Sequence, residues 1–278
     1  MSKATQQALY KDEVIQYTKK DAVHALLFAI YIYLLNLAYW VLINVFNLDG
    51  TLKQLFGVVL VLIALLPLFF IIKAKKQGLR SIGLHLCDWK KMLGVGLFFV
   101  AVLMMLFNGL LPGLLAGWQF RPAHIILWLI IFQMIMAFWE DVIFVGYIQT
   151  RIYGLIKKDF LAVLVVGLIF AAFHYPLFIV VNVVGGGGSF GFDFWIRLFG
   201  QTLVWIIGYI ILNAVYRRFS SIIPVTLLHF SMNFSGIGHL WESGGGDGLN
   251  GLIPFGVVIF SVLLVTVLLP RFKKRKSL

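Results

Sequence analysis

The segment HIILWLIIFQMIMAFWEDVIFVGY, residues 124–147, decides how this chain is read. As a helix it would run about 36 Å at ~1.5 Å per residue, enough to cross ~30 Å of hydrocarbon. Its only acidic side chains are Glu140 and Asp141, which are adjacent. A carboxylate within hydrocarbon costs at least ~2.5 kcal/mol on insertion scales, so a membrane helix that keeps two of them is expected to use at least one.

Working outward, comparable apolar runs lie at 24–46, 54–72, 92–116, 160–183, 194–216, 221–237 and 252–270. No acid other than Glu140 and Asp141 falls inside any of them. Composition agrees with this reading, being 61% hydrophobic and only 12% charged, about half the charge of an average soluble domain. The expected fold class is all-α: a polytopic membrane helix bundle of about eight transmembrane helices. Residues 1–23 are polar, and the first apolar run is followed by no small-residue cleavage site, so it reads as a retained first span. Cys87 is the single cysteine and reads as an ordinary buried or interfacial thiol.

A net charge of +12 is compatible with nucleic-acid binding, but its distribution argues for something else. Of the 23 basic residues, 20 fall in segments that share one side if both termini are cytoplasmic; Lys53, Arg121 and Arg197 are the exceptions. That is the positive-inside bias. It predicts an integral membrane protein with a cytoplasmic segment at 1–23, a single transmembrane bundle at 24–270, and a basic cytoplasmic tail at 271–278. The basic face is expected to touch anionic lipid headgroups, with no nucleic-acid partner.

The longest cytoplasmic connection, about 73–91, carries Leu79, Ile82, Leu86 and Trp89 at 3-4-3 spacing among Arg80, Lys90 and Lys91. This predicts a short amphipathic helix in the headgroup region. Gly185 to Gly188 and Gly244 to Gly246 read as flexible linkers, since neither run is followed by the Lys-Ser/Thr of a phosphate-binding loop. Pro67, Pro112 and Pro176 lie within spans, where each removes a backbone hydrogen bond. Pro176 stands two residues after His174 and would free the carbonyl of Ala172.

Two histidines also lie well inside spans, His174 and His229. Asn233 follows His229 by four residues, so the two project from one helical face about one turn apart. Gln133 stands seven residues before Glu140, two turns up the same stripe, as a partner for it. Counting ~1.5 Å of rise per residue from the cytoplasmic ends puts Glu140 roughly 10–15 Å deep, His229 about 12 Å and His174 about 20 Å. Taken singly, such groups are more often interhelical glue, worth ~0.6 kcal/mol on average. Asn36, Asn108, Asn182 and Gln201 are read that way. His24, His85, His124 and His239, at span edges or in loops, are read as solvated. The convergence of two acids with two histidines at compatible depth is what points to a site.

These segments resemble the three motifs of the CAAX protease and bacteriocin-processing family, intramembrane endopeptidases related to the Ras-converting CAAX endopeptidase. That family carries Glu-Glu-x-x-x-Arg, then Phe-x-x-x-His, then His-x-x-x-Asn or Asp, on successive membrane helices. The matching positions are Glu140-Asp141 with Val145 in the arginine's place, Phe170 with His174, and His229 with Asn233. The motif-bearing core is about 124–237. Asp141 replaces a glutamate conservatively, whereas Val145 removes the expected cation, and the nearest arginine, Arg151, is placed near the membrane surface.

The resemblance implies a peptidase in which Glu140, helped by His174, activates water, while His229 and Asn233 hold the oxyanion; Asp141, Phe170 and Gln133 support them. No cofactor is expected. The competing account is zinc or another divalent metal held by Glu140, His174 and His229, although the chain has no His-Glu-x-x-His motif. The family's substrates are prenylated CAAX tails in eukaryotes and archaea; bacterial relatives are linked to peptide pheromones, bacteriocin leaders and self-immunity. Glycine-rich outer loops favour a bacterial cell membrane. Two other functions fit the residues: a non-catalytic immunity or scaffold protein, favoured by Val145, and a proton-coupled transporter, disfavoured by the lack of an internal repeat.

Overall fold

Thr18 opens the first helix with a reciprocal cap. Its hydroxyl accepts from the backbone N–H of Asp21 at 3.3 Å, while the Asp21 carboxylate accepts from the Thr18 N–H at 2.9 Å. This capping box lets the polar residues ahead of the apolar run join the helix, so α1 begins at Lys19, earlier than the hydropathy alone suggests. The computed structural model describes residues 17–48, 50–85, 89–104, 119–184, 188–234, 241–242 and 260–261.

In chain order the elements are α1 (Lys19–Val45), α2 (Gly50–Ala74), a 3₁₀ turn (Leu79–Ile82), α3 (Trp89–Met104), β1 (Gln119–Phe120) and α4 (Ala123–Glu140). A π-helical segment (Asp141–Ile148) continues α4 into α5 (Gln149–Ile152). Then come α6 (Asp159–Phe173), α7 (Tyr175–Ile179), a second π segment (Val180–Val184), α8 (Phe192–Phe219), α9 (Ile222–Phe234) and β2 (Trp241–Glu242). The two short strands form an antiparallel ladder pairing Gln119 with Glu242 and Phe120 with Trp241. Apart from that ladder the described architecture is helical.

Five helices among the described residues are long and apolar enough to cross a membrane: Lys19–Val45, Gly50–Ala74, Ala123–Ile152, Asp159–Val184 and Phe192–Phe219. Their outward faces carry large apolar side chains such as Leu27, Leu62, Phe70 and Phe199. Such a surface is a liability in water and an ordinary lipid face in a bilayer. Ile222–Phe234 is shorter and also apolar. Of the remaining expected spans, 92–116 is described only as far as Met104 and 252–270 only at 260–261; Cys87, Pro112, Gly244 to Gly246, His239 and the basic tail lie outside the described residues.

The described residues gather into two units, one from 82–142 and from 211 onward, the other from 17–81 and 143–210. In the first, α9 lies against α3 and α4. Gly96 permits the close approach, because a Cβ there would overlap Leu227 of α9. Phe230 and Phe234 stack at 5.2 Å and cluster with Ala137 of α4. His229 and Asn233 each precede one of these phenylalanines, so they lie about 100° round the same helix.

Over the described residues 75–85 the connector does not form the expected amphipathic helix. α2 ends at Ala74, only four residues turn at Leu79–Ile82, and Gly83 then takes a left-handed φ of 75°. A side chain at Gly83 would collide with the ring of Tyr216 as well as strain the backbone. The Gly83 carbonyl accepts from the Ile222 N–H at 3.1 Å, and His85 Nε2 donates to the Ser220 carbonyl at 2.6 Å. Docking onto the α8–α9 turn overrides the helical spacing, and it leaves His85 half-buried.

In the second unit α1 lies against α2, α5, α6 and α7. Asn36 of α1 donates to the Phe173 carbonyl at 2.6 Å, where α6 breaks just ahead of Pro176. Asn36 thus acts as glue between α1 and the end of α6.

Candidate active site

The first unit collects Glu140, Asp141, His229 and Asn233. Glu140 ends α4 and Asp141 begins the π segment. Neighbouring residues of a regular α-helix point in different directions. At this change of helix type, however, both carboxylates reach one imidazole. His229 Nδ1–H donates to Asp141 Oδ1 at 3.0 Å, and Nε2 stands 3.7 Å from Glu140 Oε2. All three are buried, at 7% exposure for Glu140, 1% for Asp141 and 4% for His229. Thr226, three residues before His229 on α9, faces the same Asp141 carboxylate.

Asp141 therefore makes the shorter contact, although the sequence reading ranks it as support for Glu140. Asn233, one turn beyond His229, is exposed, and Gln133 is half-buried on α4 two turns before Glu140. π segments of this kind recur at functional sites.

The second unit holds Phe170 and His174. α6 ends at Phe173 and α7 starts at Tyr175, so His174 occupies the break itself. His174 Nδ1–H donates to the Phe170 carbonyl at 2.8 Å, which leaves Nε2 as the nitrogen that carries the lone pair of the neutral ring. Phe170, which opens the second resembled motif, thus serves by its backbone as well as its ring. The ring sits 4.7 Å from His174 edge to face. Phe144 packs on both Phe170 and Phe173 at 5.2 Å, and the Tyr209 hydroxyl donates to Gln149 Oε1 at 2.7 Å and lies 3.3 Å from the Phe144 carbonyl.

With two buried acids on an imidazole and a second anchored imidazole in hand, the comparisons with known proteins become specific. Residues 122–235 match the family model of the type II CAAX prenyl endopeptidase Rce1-like proteins. The chain carries an Rce1-like domain. The match covers less than half the chain, and every motif residue lies inside it. No curated protein and no solved structure matches the chain. The Rce1-like domain gives the chain a CAAX-type protease relationship at the level of the family, and its apolar helices make it an integral membrane protein.

Within the Rce1-like domain, the arginine of the first motif is replaced by Val145, which is 1% exposed among Ile143, Phe144 and Ile148. Arg151 is not the surface residue that the sequence suggests. It too is 1% exposed, with its guanidinium 4.6 Å from the Tyr17 ring and 4.4 Å from the Tyr147 ring. Its nitrogens donate to Gln77 Oε1 at 2.7 Å, Ser81 Oγ at 3.0 Å, the Ser81 carbonyl at 3.0 Å and Thr150 Oγ1 at 2.7 Å. Arg151 ties α5 to the connector after α2, inside its own unit. Among the described residues, no group of three or more His, Cys, Asp or Glu side chains has the arrangement of a metal site.

Thr226 could have been found from sequence, since it lies on the His229 face at a spacing of three. The π segment and the aromatic surroundings of His174 carry no such signal.

Proposed function

We propose that the chain is an intramembrane endopeptidase that cleaves a membrane-associated peptide or protein with water activated by Glu140. The observation that carries this reading is the contact of Glu140 and Asp141 with one buried imidazole on a different helix. Two carboxylates in hydrocarbon are costly unless paired and used.

In the reaction, Glu140 takes a proton from water as the oxygen attacks the scissile carbonyl, and the motif resemblance gives His174 Nε2 a share in that transfer. The carbonyl becomes an oxyanion. Asp141 holds the Nδ1–H of His229, so a second proton on Nε2 is presented as a donor to that oxygen, with the Asn233 amide beside it in the motif. Collapse of the tetrahedral species breaks the C–N bond, and Glu140 returns its proton to the leaving amine. A positioned base is worth ~10²–10⁴ in rate, and one oxyanion donor about 3 kcal/mol.

The test is cleavage of a farnesylated CAAX peptide by the full chain in lipid nanodiscs. Glu140→Gln is expected to lower turnover by ~10²–10⁴ while the protein still folds. Equal turnover by the variant would sink the reading. A chelator is expected to leave the rate unchanged, and a loss reversed by zinc would instead favour a metal on Glu140, His174 and His229. The site of action is the cell membrane of a bacterium, with basic segments against anionic headgroups.

A specific observation favours a second reading. Val145 leaves the acid pair without the motif's cation, and Arg151 is committed elsewhere. A non-catalytic immunity or scaffold protein would keep its cellular phenotype in Glu140→Gln and His174→Ala alike, and in His229→Ala wherever the variant still accumulates as folded protein.

A further inference from the structure

We propose that the end of α8 opposite Arg217 and Arg218 carries a binding site for a phosphoethanolamine group, with Arg197 taking the phosphate and Asp193 the ammonium. The site is separate from the acid cluster and does not depend on the peptidase reading, since its test reads binding alone.

A cavity of about 320 Å³ opens there, with Asn182, Gly188, Ser189, Gly191, Asp193 and Arg197 among its lining residues. All of them belong to the second unit. Packed pieces of chain build its walls. Gly188 lies so close to the Asn182 carbonyl that a Cβ would overlap it. The Asn182 amide donates to the Phe178 carbonyl at 2.8 Å, which leaves Oδ1 as its acceptor. Phe194, buried in the first turn of α8, packs on Phe178 at 5.5 Å and on Phe190 at 5.1 Å. These contacts hold the start of α8, and with it the backbone that carries Asp193 and Arg197, against α7.

Charge decides the ligand. Asp193 precedes Arg197 by four residues, the order and spacing at which an acid and a base on one helix ordinarily pair. Both are exposed and line the same cavity, yet neither makes an ion pair or a side-chain hydrogen bond among the described residues. A simple anion on Arg197 would stand beside the Asp193 carboxylate, and a simple cation on Asp193 would stand beside the guanidinium. A ligand with both charges a few bonds apart satisfies both. Cβ atoms at this spacing lie ~5–6 Å apart, within reach of a phosphate and an ammonium joined by two carbons. The fork of guanidinium donors suits a phosphate, and the Ser189 hydroxyl on the cavity wall can donate to a further phosphate oxygen. A primary ammonium has N–H groups to give Asp193, whereas the quaternary ammonium of choline has none.

The surroundings put this chemistry at a membrane surface. Phe190, Phe192 and Trp195, beside these residues in sequence, are exposed, as in the aromatic belt at headgroup level. Arg217 and Arg218 mark the other end of α8, so the positive-inside bias puts the cavity in the outer leaflet, away from the basic cytoplasmic face.

The experiment titrates the full chain in detergent with phosphatidylethanolamine, phosphatidylcholine and phosphatidylglycerol of matched acyl chains, counting bound lipid by native mass spectrometry. Binding that Arg197→Gln removes is assigned to this site, which separates it from lipid held elsewhere. In that fraction phosphatidylethanolamine is expected to bind roughly tenfold more tightly than either other lipid, the scale of one charge-assisted hydrogen bond. Asp193→Asn should abolish the preference, and Arg197→Lys should keep most of the binding. Both positions are exposed, so the variants are expected to fold, which an unchanged circular dichroism spectrum checks. Glycerophosphoethanolamine, the headgroup without its acyl chains, separates the two sources of the group: displacement of the lipid only in large excess identifies the lipid, and equal affinity identifies the free headgroup. No binding lost in Arg197→Gln, equal retention of the three lipids at the site, or a preference unaltered in Asp193→Asn would overturn the proposal.

Discussion

His229 and His174 are both anchored at Nδ1, yet their surroundings are opposite in kind. His229 is held by Asp141 at 3.0 Å with Glu140 on its other nitrogen. His174 is held by a backbone carbonyl and flanked by three aromatic rings. The first imidazole lies against two buried carboxyl groups, whereas the second is packed among aromatic rings and bonded to a backbone carbonyl. Stability should therefore depend on the first, and turnover on both.

That contrast can be broken by experiment. The largest expected effect is on stability: His229→Ala takes from Asp141 its 3.0 Å contact in an apolar interior, and removing one partner of a buried ionic contact costs about 3–5 kcal/mol. His174→Ala removes a hydrogen bond and ring contacts, and should cost roughly 1–2 kcal/mol while lowering turnover comparably. Thermal unfolding of both variants in the same detergent checks this, and equal losses would end the distinction between the two settings.

Next in size is Arg151. Arg151→Lys keeps the charge but gives up the planar face on Tyr17 and Tyr147 and the paired contacts to Gln77 and Ser81. A loss of about 2 kcal/mol is expected. A lysine variant as stable as wild type would show that charge alone suffices at this position, drawing Arg151 toward the His229 kind of site. An effect of similar size is expected of Gly96→Ala, where a methyl would meet Leu227 of α9. Overpacking of this size costs about 1–3 kcal/mol, and a truncating Leu227→Ala in the same chain should recover part of it.

Much of this was legible in the sequence, and for physical reasons. Membrane spans are read from run length, because hydrocarbon thickness fixes how many apolar residues a helix needs. The depth count put His229 level with the acid pair, but the motifs assigned it to the oxyanion and gave no sign of its bond to Asp141. Arg151 was misread because proximity to the end of a span suggests water, whereas Tyr17, brought in by α1, covers it. The connector was misread because 3-4-3 spacing favours a helix only when nothing stronger competes. Here Gly83 and His85 bond the α8–α9 turn instead.

By itself the sequence determined the solvent, the presence of two acids that had to be used, and the order of three short motifs that resemble a peptidase family. Those are properties of composition and spacing. Only the tertiary structure decided that Asp141, at the start of a π segment, takes His229 Nδ1 while Glu140 takes the Nε2 side, and that Trp205 stacks on His174. Each depends on a helix from elsewhere in the chain arriving at a distance of a few ångströms. Local spacing cannot specify that, because contacts between distant segments are set by how whole helices fit together.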